Sequence, residues 1–438
     1  MKQLRVMLLG CGTVGSGVYK TIKQNGELLK ERLGLDVSVQ SVLVLNADKK
    51  RPLPGIEPLL TTQFREDLLD ETDVVVEVMG GVEPAITYIT AAMRKGCHVV
   101  TANKELLAKH GLALEKEARE HGVELLYEGS VGGGIPLIGV LQHFLKVNRV
   151  TRLSGILNGT TNYILTQMAR DGRSFADVLA EAQACGYAEA DPTSDVEGYD
   201  AMYKLAILAR LAFGIDAPLR DITREGITAI TLEEIRLAQK LGYTVKLLAN
   251  AELRRGEAPT LGVQLTLVAD GHPLAAVNDV YNALHVEGDI VQDVTLIGQG
   301  AGELPTASAV VEDIANVGRM ATRARTPVFT LPKPMAEGER ERPLTYVGLK
   351  GAGVIDGKKV TAVRSALTQV ALGVQNVQVV QGEGFAWVGF VCTEWDEQRL
   401  AQLLSAKKLP LQVLAHTVRP CLGEAVQAEA HVLATAVN

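Results

Sequence analysis

Between Glu189 and Lys204 the chain reads EADPTSDVEGYDAMYK, which sets five carboxylates (Glu189, Asp191, Asp195, Glu197, Asp200) ahead of a single lysine. Asp200 and Lys204 are four residues apart, so on a helix they share one face. As an exposed ion pair they would contribute only about a few tenths of a kcal/mol. Ala201, Leu205, Ile207, Leu208 and Leu211 make the segment apolar nearly all round, the pattern of a buried helix. A lysine inside such a helix is either paired or uncharged, and both conditions suit proton transfer. The acids could grip a substrate ammonium group. A surface ion pair and a divalent-metal cluster are the rival readings, and the spacing lacks the alternating acids of a calcium loop. A second lysine, Lys104, follows the apolar run ending at Thr101 and opens the helical pattern Glu105–His121. A cation at a helix start is mildly unfavourable, which favours a task for it over plain solvation.

The elements that must position these groups begin with a cofactor fold. Leu4–Leu9 is an apolar run compatible with a buried parallel strand. It ends in Gly10-Cys11-Gly12-Thr13-Val14-Gly15, and helical spacing of Val14, Val18, Ile22 and Leu28 follows. Strand, glycine turn and helix together form a dinucleotide site, in which the glycines admit the pyrophosphate to the helix N-terminus. Strand-like runs at 37–45, 74–79 and 98–101 alternate with helical patterns at 84–95 and 105–121. The rhythm predicts a doubly wound parallel sheet of the Rossmann type over residues 1–134. After the second strand, LVLNADKKR puts Asn46 where an acid would accept the ribose of NAD, with Lys49, Lys50 and Arg51 in reach of a 2′-phosphate. NADP(H) is favoured, NAD(H) stays possible, and Asp48 could still face a ribose. Loops at Glu77–Gly81, Thr101–Lys104 and Glu128–Pro136 should leave the carboxyl ends of strands, where such sheets bind ligands.

The rhythm changes after Pro136, and residues 135–302 are expected to form an α+β unit for substrate binding and dimerisation. It should hold a strand at 148–157, helices from 159 and at 174–186, a loop at 189–195 and a helix from about Val196, capped by Asp195 or its neighbours, to Phe213. A second glycine loop, GQGAGELPT at 298–306, leads into a helix at 307–320 that should return, with residues 303–335, to the first unit. The last hundred residues read as strand 344–349, helix 359–372, strands 377–380 and 386–391, helix 397–404 and strand 410–415. That β-α-β-β-α-β order is ferredoxin-like.

A net charge of −7 gives no basic footprint for nucleic acid. The five cysteines are scattered without a C-x-x-C pair, as in reduced thiols rather than disulfides or a zinc site. With no leader-like start and no membrane-length apolar run, a cytoplasmic protein acting on a small molecule is expected.

The stretches GCGTVGSGV, VVVEVMGG, TANKELLA, EGSVGGGIP, SGILNGTTNYIL, EADPTSDVEGYDAMYKLAIL and GQGAGELPTASAVV resemble homoserine dehydrogenases, in order, over residues 4–320. The resemblance implies reversible NAD(P)H-dependent reduction of aspartate 4-semialdehyde to homoserine. It assigns the pyrophosphate to Gly10, Gly12, Thr13, Val14 and Gly15, acid–base work to Lys104 and Lys204, and substrate contacts to Glu189 and Asp200 with support from Asp195. Gly302 would come near the nicotinamide, and Thr101 and Lys104 would also contact the cofactor. A sodium ion would be held by the Glu128 side chain and the carbonyls of Val131, Gly133 and Ile135. A homodimer or homotetramer is implied, and the C-terminal unit, 340–438, would be an ACT-like module, a type that binds effector amino acids such as threonine. Departures from the family pattern are Leu45 and Asn46 in place of an Arg-Asp pair, and GLKGAGVIDGKK in place of an acid-x-Pro-Gly turn. A silent nucleotide-binding regulator or another semialdehyde dehydrogenase would share this scaffold. The former should lack the lysines, and the phosphorylating type of the latter should show a nucleophilic cysteine. No kinase segment is expected ahead of residue 1.

Overall fold

The computed structural model describes residues 1–253, 258–319, 344–353, 355, 357–367, 373–382, 384–393, 395, 398 and 412–423. Strands and helices alternate first: β1 (Lys2–Leu9), α1 (Thr13–Leu33), β2 (Leu35–Leu43), β3 (Leu60–Thr61), β4 (Val74–Glu77), α2 (Ala85–Arg94), β5 (His98–Thr101), α3 (Lys104–His121) and β6 (Leu125–Leu126). The strands pair in parallel in the order β3-β2-β1-β4-β5-β6. Strand order reverses between β1 and β4, which opens a crevice at their carboxyl ends. Side chains alternate across a strand, and both faces of this sheet are covered, so the central strand β4 is buried along its whole length and apolar up to Glu77. Leu4, Val6 and Leu8 lie in one core with Val18 and Ile22 of α1, whereas Met7 and Leu9 lie in another with Ile89 and Leu106 of α2 and α3.

Next come α4 (Leu137–Gly139), β7 (Val150–Ile156), α5 (Gly159–Asp171), α6 (Phe175–Ala184), α7 (Thr193–Val196) and α8 (Tyr199–Phe213). They are followed by β8 (Thr223–Arg224), α9 (Leu232–Lys240), β9 (Tyr243–Glu252), β10 (Thr260–Ala269), β11 (Tyr281–Gly288), β12 (Gln292–Gln299) and α10 (Glu303–Arg319). Strands β12-β11-β7-β9-β10 form an antiparallel run. Helix α10 packs back on α1, where a Cβ added to Gly17 would lie 2.6 Å from the Glu303 carbonyl oxygen and 3.0 Å from Ala307 Cβ. It starts earlier than the sequence pattern predicts, because Pro305 falls in the first turn, where no N–H is required.

The acidic stretch also differs from expectation. Asp195 does not cap one continuous helix from 196. Thr193–Val196 is a single turn, Gly198 adopts φ +79°, and α8 begins at Tyr199. A left-handed residue cannot continue a right-handed helix. That break frees Asp195 to turn towards the end of β7.

The C-terminal elements are β13 (Thr345–Ala352), α11 (Gly357–Leu367), β14 (Gln375–Gln381), β15 (Phe385–Cys392) and β16 (Gln412–Leu422). Their strands lie antiparallel in the order β16-β13-β15-β14, and β16 joins β10 in parallel at Leu267–Cys421 and Val268–Leu422. Apart from Gln398, the expected helix at 397–404 lies outside the described residues, as does the segment 320–335. Arg419 of β16 ties this sheet to the preceding one through Glu225 at 2.7 Å and Glu234 at 3.3 Å. No helix among the described residues is long and apolar enough to cross a membrane.

Candidate active site

The glycine loop forms as the motif requires. Gly10 has φ +105°, and a Cβ on Gly15 would lie 2.3 Å from the Gly10 carbonyl oxygen, so neither position tolerates a side chain. A Cβ on Gly12 would meet nothing within 4 Å, which leaves the start of α1, at Thr13 and Val14, open to the crevice. Helix N-termini with free N–H groups attract phosphate. At the end of β2 the Asn46 Oδ1 accepts the N–H groups of Asp48 and Lys49, at 2.8 and 3.2 Å. Arg51 donates to the carbonyls of Asn46 and Lys49. Asn46 is thus spent on shaping the loop, and Lys49 is left exposed.

One residue, placed from the sequence only at the start of a crevice loop, organises the floor of the crevice. Glu77 ends β4, is fully buried, and accepts from Thr101 Oγ1 at 2.6 Å, Met79 N at 2.8 Å and Asn103 Nδ2 at 3.4 Å. Burial raises its proton affinity, and these donors pull it back only in part. Asn103 also caps α3 by accepting from Leu106 N at 3.1 Å, and donates to the Gly81 carbonyl at 2.6 Å. The glutamate is legible only as the lone acid closing an apolar strand, VVVE. The asparagine fits the ordinary preference for an N-cap.

Lys104 is the first residue of α3, and its ammonium lies 2.6 Å from Asp200 Oδ1. Lys204 lies 2.8 Å from Asp200 Oδ2 and donates to the Leu157 carbonyl at 2.7 Å. The Asp200 and Lys204 side chains are 4% and 9% exposed, whereas Lys104 is 43% exposed and faces the opening. Asn158, also missed from the sequence, caps α5 through Thr161 N. Its Nδ2 donates to Asp195 Oδ1 at 2.8 Å and Asp200 Oδ2 at 2.9 Å. Two asparagines at strand-to-helix turns thus each cap a helix and orient acids.

The electrostatics follow from this packing. Burial pushes the Asp200 carboxyl up, but the two ammonium groups more than offset it and hold the group well below the usual range. For Lys204, burial is the largest influence and lowers its proton affinity, Asp200 opposes it, and Lys104 adds to the lowering. For Lys104 the attraction of Asp200 leads and raises its affinity, with smaller contributions from Asp195 and Glu189. Burial, with the charge of Asp200, raises Asp195.

The remaining acids of the stretch disperse. Glu189 is exposed on the rim, and its carbonyl accepts from Gln183 Nε2. Asp191 binds the hydroxyl and N–H of Thr193, and Glu197 faces Thr228 and Arg224. No group of three or more His, Cys, Asp or Glu residues among the described ones is placed to hold a metal ion. Gly302, with φ +118°, precedes α10.

Glu128 is half-enclosed, and its carboxylate accepts from Ile138 N at 2.8 Å and Gly139 N at 2.6 Å. Its own N–H donates to Asp313, a buried acid of α10 that was not foreseen from the sequence. Burial pushes both carboxyls up, and the charge of Glu128 adds to the rise at Asp313. The Ile135 carbonyl already accepts from Leu137 N at 2.8 Å, and Val131 and Gly133 lie buried beside it.

Family models match this architecture: "Homoserine dehydrogenase, NAD binding domain" over residues 10–128 and "Homoserine dehydrogenase" over 136–315. The homoserine dehydrogenase of Bacillus subtilis is 46% identical over 318 residues, 72% of this chain and 73% of its own length. The chain belongs to the homoserine dehydrogenase family. The enzyme of Synechocystis is 44% identical over 72% of this chain and 73% of its own. A homoserine dehydrogenase crystal structure from Thiobacillus denitrificans aligns with a TM-score of 0.81 and 36% identity, covering 96% of this chain and 98% of that one. A hyperthermophilic archaeal homoserine dehydrogenase in complex with NADPH aligns with a TM-score of 0.62 and 26% identity, covering 74% of this chain and all of that one. As a homoserine dehydrogenase, the protein interconverts aspartate 4-semialdehyde and homoserine with a pyridine nucleotide.

Proposed function

We propose that Lys204 transfers the proton and Lys104 assists it, on a substrate held beside Asp200. The observation that carries this is the convergence of both ammonium groups on one buried carboxylate at the edge of the cofactor crevice. A bound nicotinamide supplies the hydride. As negative charge grows on the aldehyde oxygen, Lys204 gives up its Nζ proton to that atom, and Lys104 offsets the charge. In the reverse direction neutral Lys204 takes the hydroxyl proton. Asp200, with Asp195 held by Asn158 and with Glu189 on the rim, offers carboxylates to the substrate ammonium. The silent-regulator alternative is disfavoured because both lysines are present and paired with an acid.

Gly10–Gly15, Thr101, Lys104 and Gly302 border the cofactor in this reading, and Lys49 with Lys50 favours NADP(H). Replacing both Lys49 and Lys50 by alanine is expected to raise KM for NADPH roughly tenfold, the loss of one charged hydrogen bond. KM for NADH should not change. Following absorbance of each cofactor with aspartate semialdehyde checks this and the reaction itself.

The loop of Glu128, Val131, Gly133 and Ile135 fits a monovalent cation, because Glu128 and Asp313 are acids raised by burial that form no ion pair among the described residues. Its charge would steady the junction between the loop and α10.

We divide the chain into 1–134 with 303–335, 135–302 and 340–438, read the last as ACT-like, and place the enzyme in the cytoplasm as a homodimer or homotetramer. The strand order β16-β13-β15-β14 supports the ACT-like reading. The outermost strand β12 and the exposed Phe144, Val147 and Ile290 support association. With the acid-x-Pro-Gly turn missing, added threonine is expected to leave turnover and Tm unchanged. Inhibition would give the module an effector role.

A further inference from the structure

A second contact between the same two helices lies beyond the lysine–carboxylate cluster. Arg210 of α8 has a side chain only 6% exposed, and its Nη1 donates to the Leu107 carbonyl of α3 at 3.1 Å. Its Nε lies 3.5 Å from Glu115 of α3, and Nη1 lies 3.6 Å from Asp216. Gly111 of α3 sits directly against the guanidinium: a Cβ there would lie 2.2 Å from Nη2, 2.4 Å from Nη1 and 2.5 Å from Cζ. Glu115 also accepts from the Tyr127 hydroxyl at 3.0 Å, and the residue after Tyr127 is Glu128. Nε and Nη2 of Arg210 are buried without a hydrogen-bond partner.

We propose that Arg210 is a positioning residue, its guanidinium wedged against Gly111 to fix how α3 lies against α8 and so where Lys104 meets Asp200. Leu107 is about one turn and Gly111 about two turns along α3 from Lys104, and Arg210 lies about three turns along α8 from Asp200. Arg210 thus adds a polar contact to the apolar packing of Leu107 and Ala108 against α8 and to Lys109 over the Tyr203 ring, at a place well separated from Lys104, which opposes sliding and rotation of one helix on the other. Without Arg210 the polar contacts between the two helices would reduce to the half-open Lys104 and the exposed stacking of Lys109 on Tyr203, since apolar packing sets register loosely. With Nη2 lacking a hydrogen-bond partner and Nε held only by the 3.5 Å ion pair to Glu115, the guanidinium is a costly way to fill this space, and replacing the whole Arg210–Glu115 pair by apolar side chains would be about as stabilising. The planar fork matters because its two terminal nitrogens fit against a residue without Cβ while the group reaches a carbonyl and a carboxylate of the neighbouring helix.

The proposal rests on the reading of the lysine cluster above. The groups facing Lys204 are Asp200 on its own helix, Lys104 on α3, Asp195 on α7 and the Leu157 carbonyl at the end of β7. If α3 shifts, Lys104 leaves Asp200 and ceases to repel the Lys204 proton, so Lys204 holds its proton to higher pH.

The test uses the full-length enzyme with NADPH and aspartate semialdehyde. Gly111→Ala pushes the guanidinium away, and kcat should fall roughly tenfold to a hundredfold, as misplacements of about 1 Å do. NADPH affinity and the circular-dichroism spectrum should be unchanged, and the alkaline limb of the kcat profile should move to higher pH. Arg210→Met should give the same shifted limb, and adding Gly111→Ala to it should cost nothing more, because the methyl then has room. Arg210→Lys, which keeps the charge without the plane, should not restore the limb. If Arg210→Met does not fold, the Gly111→Ala limb alone decides. An unmoved limb, or a rate loss that follows the folded fraction, overturns the proposal and leaves the cluster reading standing. Normal turnover in Lys204→Met overturns the cluster reading, and this proposal with it.

Discussion

Lys204→Met is expected to lower kcat for aspartate semialdehyde reduction by about 10²–10⁴-fold, the usual contribution of a positioned proton donor. The fold should survive, because Asp200 keeps Lys104 as its counter-ion at 2.6 Å. NADPH affinity should not change, because the pyrophosphate loop lies on β1 and α1 rather than on α8. Stopped-flow turnover with a fluorescence titration of NADPH separates the two quantities, and near-normal turnover would remove Lys204 from the mechanism. In the wild type, burial lowers the proton affinity of Lys204. Reduction needs the protonated lysine, so its rate should fall as pH rises through that depressed value, while homoserine oxidation, which needs the neutral lysine, should rise over the same window. Lys104→Met should lower kcat as well, and by less if it assists rather than donates.

Asp200→Asn should be as damaging to turnover and far more damaging to stability. It leaves the buried Lys204 ammonium without its carboxylate, a loss of about 3–5 kcal/mol for a broken buried pair. Thermal unfolding at neutral pH should reveal this as a lowered Tm. In the wild type the carboxyl of Asp200 is held below its ordinary value by the two lysines. The stability it contributes is therefore complete above the ordinary carboxylate range and is lost as pH falls through the depressed value. In Asp200→Asn the sign reverses: the unpaired Lys204 gives up its proton more easily, so part of the lost stability should return on raising the pH. The alkaline limb of reduction should move to lower pH, opposite to the shift expected of Gly111→Ala. An unchanged Tm and limb would mean that Asp200 does not set the charge of Lys204.

The cofactor half of the site was legible because its chemistry is local. A glycine turn between strand and helix is written in six consecutive residues, and Gly10, Gly12 and Gly15 stand as that pattern requires. The i,i+4 pair of Asp200 and Lys204 was legible for the same reason, since one helical turn brings them together wherever the helix lies. Glu77, Asn158 and Asp313 were not. Each works through partners far away in the chain, as Asn158 does with Asp195 and Asp200, and one acid or amide among apolar neighbours does not name such partners. The helix start was misplaced for a smaller reason: Gly198 could have continued the helix, and its left-handed conformation became evident only in three dimensions.

The sequence by itself determined the alternation of strands and helices, the glycine turn between β1 and α1 and the residue types able to move a proton, because periodicity and short motifs depend on neighbours in the chain. Only the tertiary structure decided that Lys104, about a hundred residues upstream, shares Asp200 with Lys204, that Glu189 stays on the rim, and that Arg210 closes on Gly111. Those outcomes depend on how α3 and α8 pack across two sheets. Packing is a property of surfaces brought together by folding, and no local pattern encodes it.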